Sequence, residues 1–263
     1  MLVKPEEVGL SSSRLARIGE HMQRYIDAGK IAGTLTLVAR RGQVAYLEPQ
    51  GHLEIERRRP VTSDAIWRIY SMTKPITSVG LMMLYEQGRF QLNDPVHRFI
   101  PSWSNLGVFV SGNHPAFVTT PTTRAMTIRD LLTHTAGLTY GDMERSNVDA
   151  AYRKLAVGDR TKAGYTLADM IATLAELPLE FSPGTRWNYS VATEVLGHLI
   201  EVISGQRLDA YLAEHVFGPL GMRDTSFVIR DDQVARFAAN YGRQADGTLK
   251  VIDDPTRSLY RQV

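Results

Sequence analysis

The sequence predicts a mixed α/β chain of the α+β type, in which strands and helices are segregated. Three observations carry this reading. A helix-period segment is followed at once by a hairpin pattern near the N-terminus. The middle of the chain is a succession of helical segments. Strand patterning with a turn returns near the other end. At 263 residues the chain has room for one domain, or for two packed closely together.

The elements follow in order. Ser13 to Ala28 reads as a helix. Ser11–Ser13 offer an N-cap, Leu15, Ile18, Met22, Tyr25 and Ile26 form one apolar face, and Gly29 stands at the stop. Residues 34–39 and 43–47 read as strands joined by a turn at Arg41-Gly42, giving a sheet with a helix laid on one face. Ala65–Tyr70 reads as a further strand. Ser71 to Gln87 is then a helix, apolar on most sides and so expected to be buried, with Pro75 in the first turn and Gly88 at its end. Residues 91–125, rich in Pro, Ser, Thr, Gly and Asn, read as a long irregular excursion. Thr127–Thr133 is a short capped helix, Thr166–Glu176 another, and Ser190–Ser204 a strong amphipathic one stopped by Gly205. Arg207–Phe217 is helical as well. From Thr225 the chain reads as extended, with a hairpin around Ala245-Asp246-Gly247.

Composition excludes several function classes. Thirty basic residues against 28 acidic ones leave a formal charge of +2, so no strong field points to nucleic acid or to an anionic membrane surface. The absence of cysteine removes disulfides, thiol catalysis, thiolate zinc sites and iron–sulfur clusters. No apolar run approaches a membrane span. Met1–Leu10 carries Glu6, Glu7 and Pro5 where a secretory signal needs a basic end and an apolar stretch, so the default compartment is the cytoplasm.

The sharpest local feature is Ser71-Met72-Thr73-Lys74. On a helix, a three-residue spacing puts Ser71 and Lys74 on one face, where a lysine can activate a serine for nucleophilic attack. With 15 serines and 6 lysines, about one such chain in three carries Ser-x-x-Lys by chance, so context must raise it. The pair opens a mostly apolar helix, where a lysine without a task or partner is costly. The bland reading makes Ser71 a cap and Lys74 a solvated first-turn residue. A second feature is Trp187-Asn188-Tyr189-Ser190, between a Pro-Gly turn and the amphipathic helix. A tyrosine there can aim its hydroxyl into a cleft, and a neighbouring ammonium would make it a base or acid. Taken alone, it reads as a core aromatic. A third is His134 in Leu131-Leu132-Thr133-His134-Thr135-Ala136-Gly137-Leu138, which reads as a structural hydrogen-bonder. No Gly-x-Ser-x-Gly elbow occurs to give it a nucleophile. His21, His52, His97, His114, His198 and His215 have no metal-ligand spacing, so neither metal nor cofactor is expected.

Together, Ser71-Met72-Thr73-Lys74, Leu131–Leu138, and Pro183-Gly184 followed by Tyr189-Ser190 and Leu196-Gly197 resemble the serine β-lactamase-related superfamily. Within it the chain resembles the family VIII carboxylesterases and their class C β-lactamase relatives, in the family's order from about Val8 onward. The resemblance implies a β-lactamase/transpeptidase-like fold: an antiparallel sheet flanked by helices, a mostly helical second domain, and a site between them. It divides the chain into 1–70, the N-terminal part of the α/β domain; 71–222, the helical domain; and 223–263, the return. It implies Ser71 as the acylated nucleophile, Lys74 as its activator, and Tyr189 as base and later acid. Two departures matter. Class C β-lactamases carry Asn two residues after the tyrosine, where this chain has Val191. The family's third motif, on a later strand that lends an oxyanion-hole N–H, has no match after Tyr241.

The expected activity is therefore cleavage of small-molecule carboxylic esters, with short acyl chains favoured, through an acyl-enzyme. The alternatives are a β-lactamase or D-alanyl-D-alanine carboxypeptidase, an acyltransferase, and a penicillin-recognising sensor with slow turnover. A two-stranded hairpin is marginal alone, so a C-terminal segment beyond Val263 is expected to complete the sheet, as a partner to this chain.

Overall fold

The computed structural model describes residues 2–159 and 164–261, which form two compact units. One comprises residues 1–69 and 226–263, the other residues 70–225.

In the first unit, α1 (Ser12–Asp27) starts where the Ser11 side chain accepts a hydrogen bond from the Arg14 N–H. Strands β1 (Gly33–Arg40) and β2 (Gln43–Glu54) pair antiparallel, with Leu37 opposite Leu47, and short β3 (Arg59–Pro60) follows β2. The sheet order is β1-β2-β3, so β1 is an edge, and its Leu37 is 56% exposed. Gln50 of β2 reaches the Gly19 carbonyl of α1 at 3.1 Å, which ties helix to sheet.

The expected strand at Ala65–Tyr70 is corrected to a single bridge. Ile66 pairs only with the Phe237 position, through Ile66 N to Arg236 O at 2.8 Å and Ala238 N to Ile66 O at 2.9 Å. The ladder stops because Arg68 turns its guanidinium to Asp253 (2.6 Å) and over the Phe237 ring, and because Tyr70 takes a left-handed φ of 43°.

In the second unit, α2 (Thr73–Glu86) packs against a later helix, residues 192–204, and both sit in one large apolar core. Strands β4 (Gly107–Asn113) and β5 (Ala116–Pro121) form a hairpin inside the segment expected to be irregular. Its polar, Pro- and Gly-containing composition hid a period-2 pattern in which Phe109 and Phe117 meet edge to face, 5.8 Å apart. Then follow α3 (Ile128–Leu132), α4 (Asn147–Lys154), α5 (Leu167–Ala175), α6 (Ala192–Ser204) and α7 (Leu208–Leu212). Helix α4 was not expected from the sequence. The segment read as one helix over Arg207–Phe217 widens into a π turn at Ala213–Phe217. Gly80 lets α7 approach α2: a Cβ there would lie 2.7 Å from Leu212 Cδ2.

The chain then returns to the first unit. A 3₁₀ turn at Asp231–Arg236 interrupts the stretch expected to be extended, and β6 (Asn240–Arg243) and β7 (Leu249–Asp253) form the expected hairpin. Among the described residues no helix is long and apolar enough to cross a membrane.

Candidate active site

Ser71 lies on a 3₁₀ turn, Tyr70–Met72, that runs directly into α2, with Lys74 in the first turn of the helix itself. The serine is exposed and the lysine half-buried. Tyr70, just before the serine, holds an unfavourable left-handed backbone. Strain of this kind persists where surrounding structure over-determines a conformation.

Tyr189 arrives from elsewhere in the same unit by a backbone clamp. The loop after α3 pairs with the segment before α6: Asn188 N donates to His134 O at 2.9 Å, Gly184 N to Thr135 O at 2.8 Å, and Glu180 N to Gly137 O at 2.7 Å. The Asn188 side chain adds a bond to Leu138 O at 2.9 Å. Gly137 is required there, because its φ is 87° and a Cβ would lie 2.3 Å from the Phe181 carbonyl oxygen. His134 fixes the same clamp, with Nδ1 3.2 Å from Ser190 Oγ and its ring 4.9 Å from that of Tyr189. Burial, and then the Lys74 charge, hold the imidazole below its ordinary pKa, so it acts as a neutral structural group at pH 7.

The clamp places the Tyr189 hydroxyl 2.7 Å from Ser71 Oγ. Lys74 Nζ stands over the Tyr189 ring, 4.8 Å from its centre. Burial raises the Tyr189 pKa, but its contact with Ser71 and the neighbouring Lys74 ammonium more than reverse this and hold it below the ordinary tyrosine value. Helical spacing predicts Ser71 and Lys74 on one face, but the hydrogen bonds join Ser71 to Tyr189 and Lys74 to the Tyr140 hydroxyl, the latter at 3.0 Å. The reason is local: Ser71 precedes α2 on a tighter turn, so the two side chains do not share one helical face.

Sequence reasoning passed over Tyr140 and Glu194. The Tyr140 hydroxyl donates to Glu194 Oε1 at 2.8 Å, and its ring stands 5.5 Å from that of Tyr189. Burial, followed by the Glu194 carboxylate, pushes the Tyr140 hydroxyl far above the ordinary tyrosine range, so it stays protonated.

A serine at a left-handed turn, a lysine in the first turn of the helix that follows and a tyrosine beside both thus stand together in a β-lactamase/transpeptidase-like fold. The Beta-lactamase family model matches residues 18–260, and the chain belongs to that family. Esterase EstB of Burkholderia gladioli is 33% identical over 232 residues, covering 88% of this chain and 55% of EstB. The solved structure of EstCE1, described as a hydrolase with promiscuous acyltransferase activity, superposes with a TM-score of 0.79 at 30% identity, over 91% of this chain and 59% of that one. Simvastatin synthase LovD from Aspergillus terreus superposes with a TM-score of 0.75 at 26% identity, over 92% of this chain and 61% of that one. The chain spans about half the length of the curated relatives it matches.

Proposed function

We propose that this chain carries the nucleophilic half of a serine carboxylesterase that works through an acyl-enzyme on Ser71. The 2.7 Å contact between the Tyr189 hydroxyl and Ser71 Oγ, beside the Lys74 amine, carries the reading. Tyr189, deprotonated with the help of Lys74, takes the proton from Ser71 as Oγ bonds to the ester carbonyl carbon. The carbon–oxygen bond to the alcohol then breaks, and the alcohol leaves with the proton from Tyr189. Water, giving its proton to Tyr189, attacks the acyl carbon. Ser71 recovers a proton as the acid departs. The approach of Ser71 at the N-terminus of α2 favours the developing oxyanion.

Esters are favoured over β-lactams by Val191. It occupies the place where class C β-lactamases present an amide to the substrate, and here it is fully buried as the N-cap of α6. Short acyl chains are the proposed substrates. The likeness to EstCE1 and LovD supports a second reading, transfer of the acyl group to an alcohol other than water. We further propose that a C-terminal segment of the protein supplies the second oxyanion N–H. The length of the relatives supports this.

Steady-state kinetics on p-nitrophenyl butyrate and on a chromogenic cephalosporin test the assignment. Ester turnover that disappears in Ser71→Ala is expected. Efficient cephalosporin turnover without ester hydrolysis would reassign the protein as a β-lactamase, and a lasting adduct on Ser71 by mass spectrometry would make it a sensor.

A further inference from the structure

Helices α3, α4, α5 and α6 each carry an acid at their third position: Asp130, Asp149, Asp169 and Glu194. In the first three, the acid reaches back to the backbone N–H of its own N-cap, while the cap hydroxyl of Thr127, Ser146 or Thr166 accepts from the acid's N–H. Helix α6 breaks this pattern. Its N-cap is Val191, which has no capping side chain, and only Ser190 Oγ substitutes, accepting from Ala192 N at 3.3 Å. The carboxylate of Glu194 turns away from its own helix to the Tyr140 hydroxyl, at 2.8 Å. Its second oxygen, Oε2, is shut off from solvent and has no hydrogen-bond partner. An acid serving only the helix dipole needs neither contact nor burial.

We propose that Glu194 is a positioning residue for the catalytic site: acting through the Tyr140 hydroxyl, it orients the Lys74 amine toward Tyr189. Hydrogen-bond direction carries this assignment, which rests on the hydrolase reading above. A carboxylate can only accept, so the single Tyr140 proton is committed to Glu194. The Tyr140 oxygen then has only lone pairs to offer Lys74, which donates to it at 3.0 Å. With one N–H held in this way, the remaining N–H groups of Lys74 are directed at Tyr189, over whose ring the amine stands. A local rule broken in this way, with no gain to the helix itself, marks a residue held for function.

The groups facing Tyr189 are Ser71 and Lys74 from the start of α2, His134 and Tyr140 from the loop after α3, and Glu194 from α6. Asp142 adds its charge at Tyr140. Among these groups Glu194 opposes ionisation of Tyr189 and Lys74 favours it. Releasing Lys74 from the Tyr140 oxygen must therefore move the Tyr189 midpoint up. The acid limb of kcat/KM, which reports the free enzyme's base, moves up with it.

The experiment compares the wild-type full chain with Glu194→Gln, Tyr140→Phe and the double variant. The pH profile on p-nitrophenyl butyrate is one readout. The other is the titration of Tyr189 by NMR of 13Cζ-labelled tyrosine, assigned with Tyr189→Phe. Tyr140→Phe frees Lys74 and is expected to raise both midpoints by about one pH unit. Glu194→Gln, whose amide can donate as well as accept and so no longer commits the Tyr140 proton, is expected to lower kcat about tenfold with KM nearly unchanged, as is Tyr140→Phe, and the double variant no further, because both cut one link. Superimposable midpoints in wild type and Tyr140→Phe would overturn the proposal. So would wild-type kcat in Glu194→Gln, and wild-type kcat in Tyr140→Phe decides the matter even if Glu194→Gln fails to fold. Ester turnover that survives Ser71→Ala would instead defeat the hydrolase reading, and the Tyr189 titration would still report on the Tyr140 link.

Discussion

In residues 70–225 one apolar cluster runs from Leu81 on α2 through Leu199 on α6 to Phe217. In residues 1–69 and 226–263 the buried apolar side chains gather in small groups: Leu53 with Val61 and Ala238, and Ile66 with Ile229 and Phe237. Charge fills part of the difference there. The side chain of Arg68 is 5% exposed, pairs with Asp253 at 2.6 Å and lies over the Phe237 ring. Glu54, buried at 3%, is held by Arg57 and Arg59. A continuous apolar core tolerates no rearrangement without losing contacts, and Ser71, Lys74 and Tyr189 stand on the unit that contains it. Ion pairs and short hairpins hold the other unit, whose stabilising contacts are directional and individually weaker when exposed.

The largest effect that would sharpen this contrast is chemical. Ser71→Ala removes one exposed hydroxyl, so ester turnover should fall by about three orders of magnitude or more while the thermal midpoint stays within about one degree of wild type. Retained activity would place the nucleophile elsewhere. Among stability effects, Gly137→Ala should be the most damaging, at more than ~4 kcal/mol. It combines a left-handed φ of 87° with a Cβ 2.3 Å from Phe181 O. Leu199→Ala, at a fully buried position, should cost about 3 kcal/mol by denaturant unfolding. A loss below ~1 kcal/mol would mean the helical core is looser than its burial indicates.

In the other unit, Asp253→Ala strands a buried guanidinium that otherwise pairs with the aspartate, and should cost about 2 kcal/mol. Asp253→Ala paired with Arg68→Met should recover much of that loss, since an apolar replacement leaves no charge unpaired. If the double variant is no better than the single, the pair is not what holds β7 to the bridge at Ile66.

These contrasts track what was legible in the sequence. Helix α1, the β1–β2 hairpin and the β6–β7 hairpin were readable because caps, periodicity and turn residues agree there. Helix α4 was missed although Ser146 and Asp149 form the same capping box that revealed α3 at Thr127 and Asp130. Its eight residues show too short an apolar repeat to stand out. Of the candidate site, Ser71, Lys74 and Tyr189 were legible as candidates because their motifs are local. Tyr140 and Glu194 were not, because their meaning lies in a contact 54 residues apart in sequence. One signal was present: an acid at the third position of α6 behind Val191, a residue unable to cap.

The smallest effect concerns those caps and has a defined pH dependence. Asp130 accepts from the Arg124 guanidinium at 2.6 and 2.8 Å, and from the Thr127 N–H and hydroxyl at 2.8 and 2.7 Å. Burial alone would raise its pKa, but the Arg124 and Thr127 bonds more than reverse that and hold the carboxyl below its ordinary value. A carboxyl depressed in the folded state contributes stability that is fully present above its unfolded pKa, about 3.9. That contribution is lost as pH falls through the lower folded value. Thr127→Ala removes the cap hydroxyl and one of the bonds that depress Asp130. At pH 7 it should cost about 1 kcal/mol. As pH falls below ~4 the variant should lose stability less steeply than wild type, because its Asp130 pKa lies nearer the unfolded value. Denaturant midpoints from pH 7 to pH 2.5 give the comparison directly. Parallel curves would show that Thr127 caps the α3 backbone without holding the Asp130 charge.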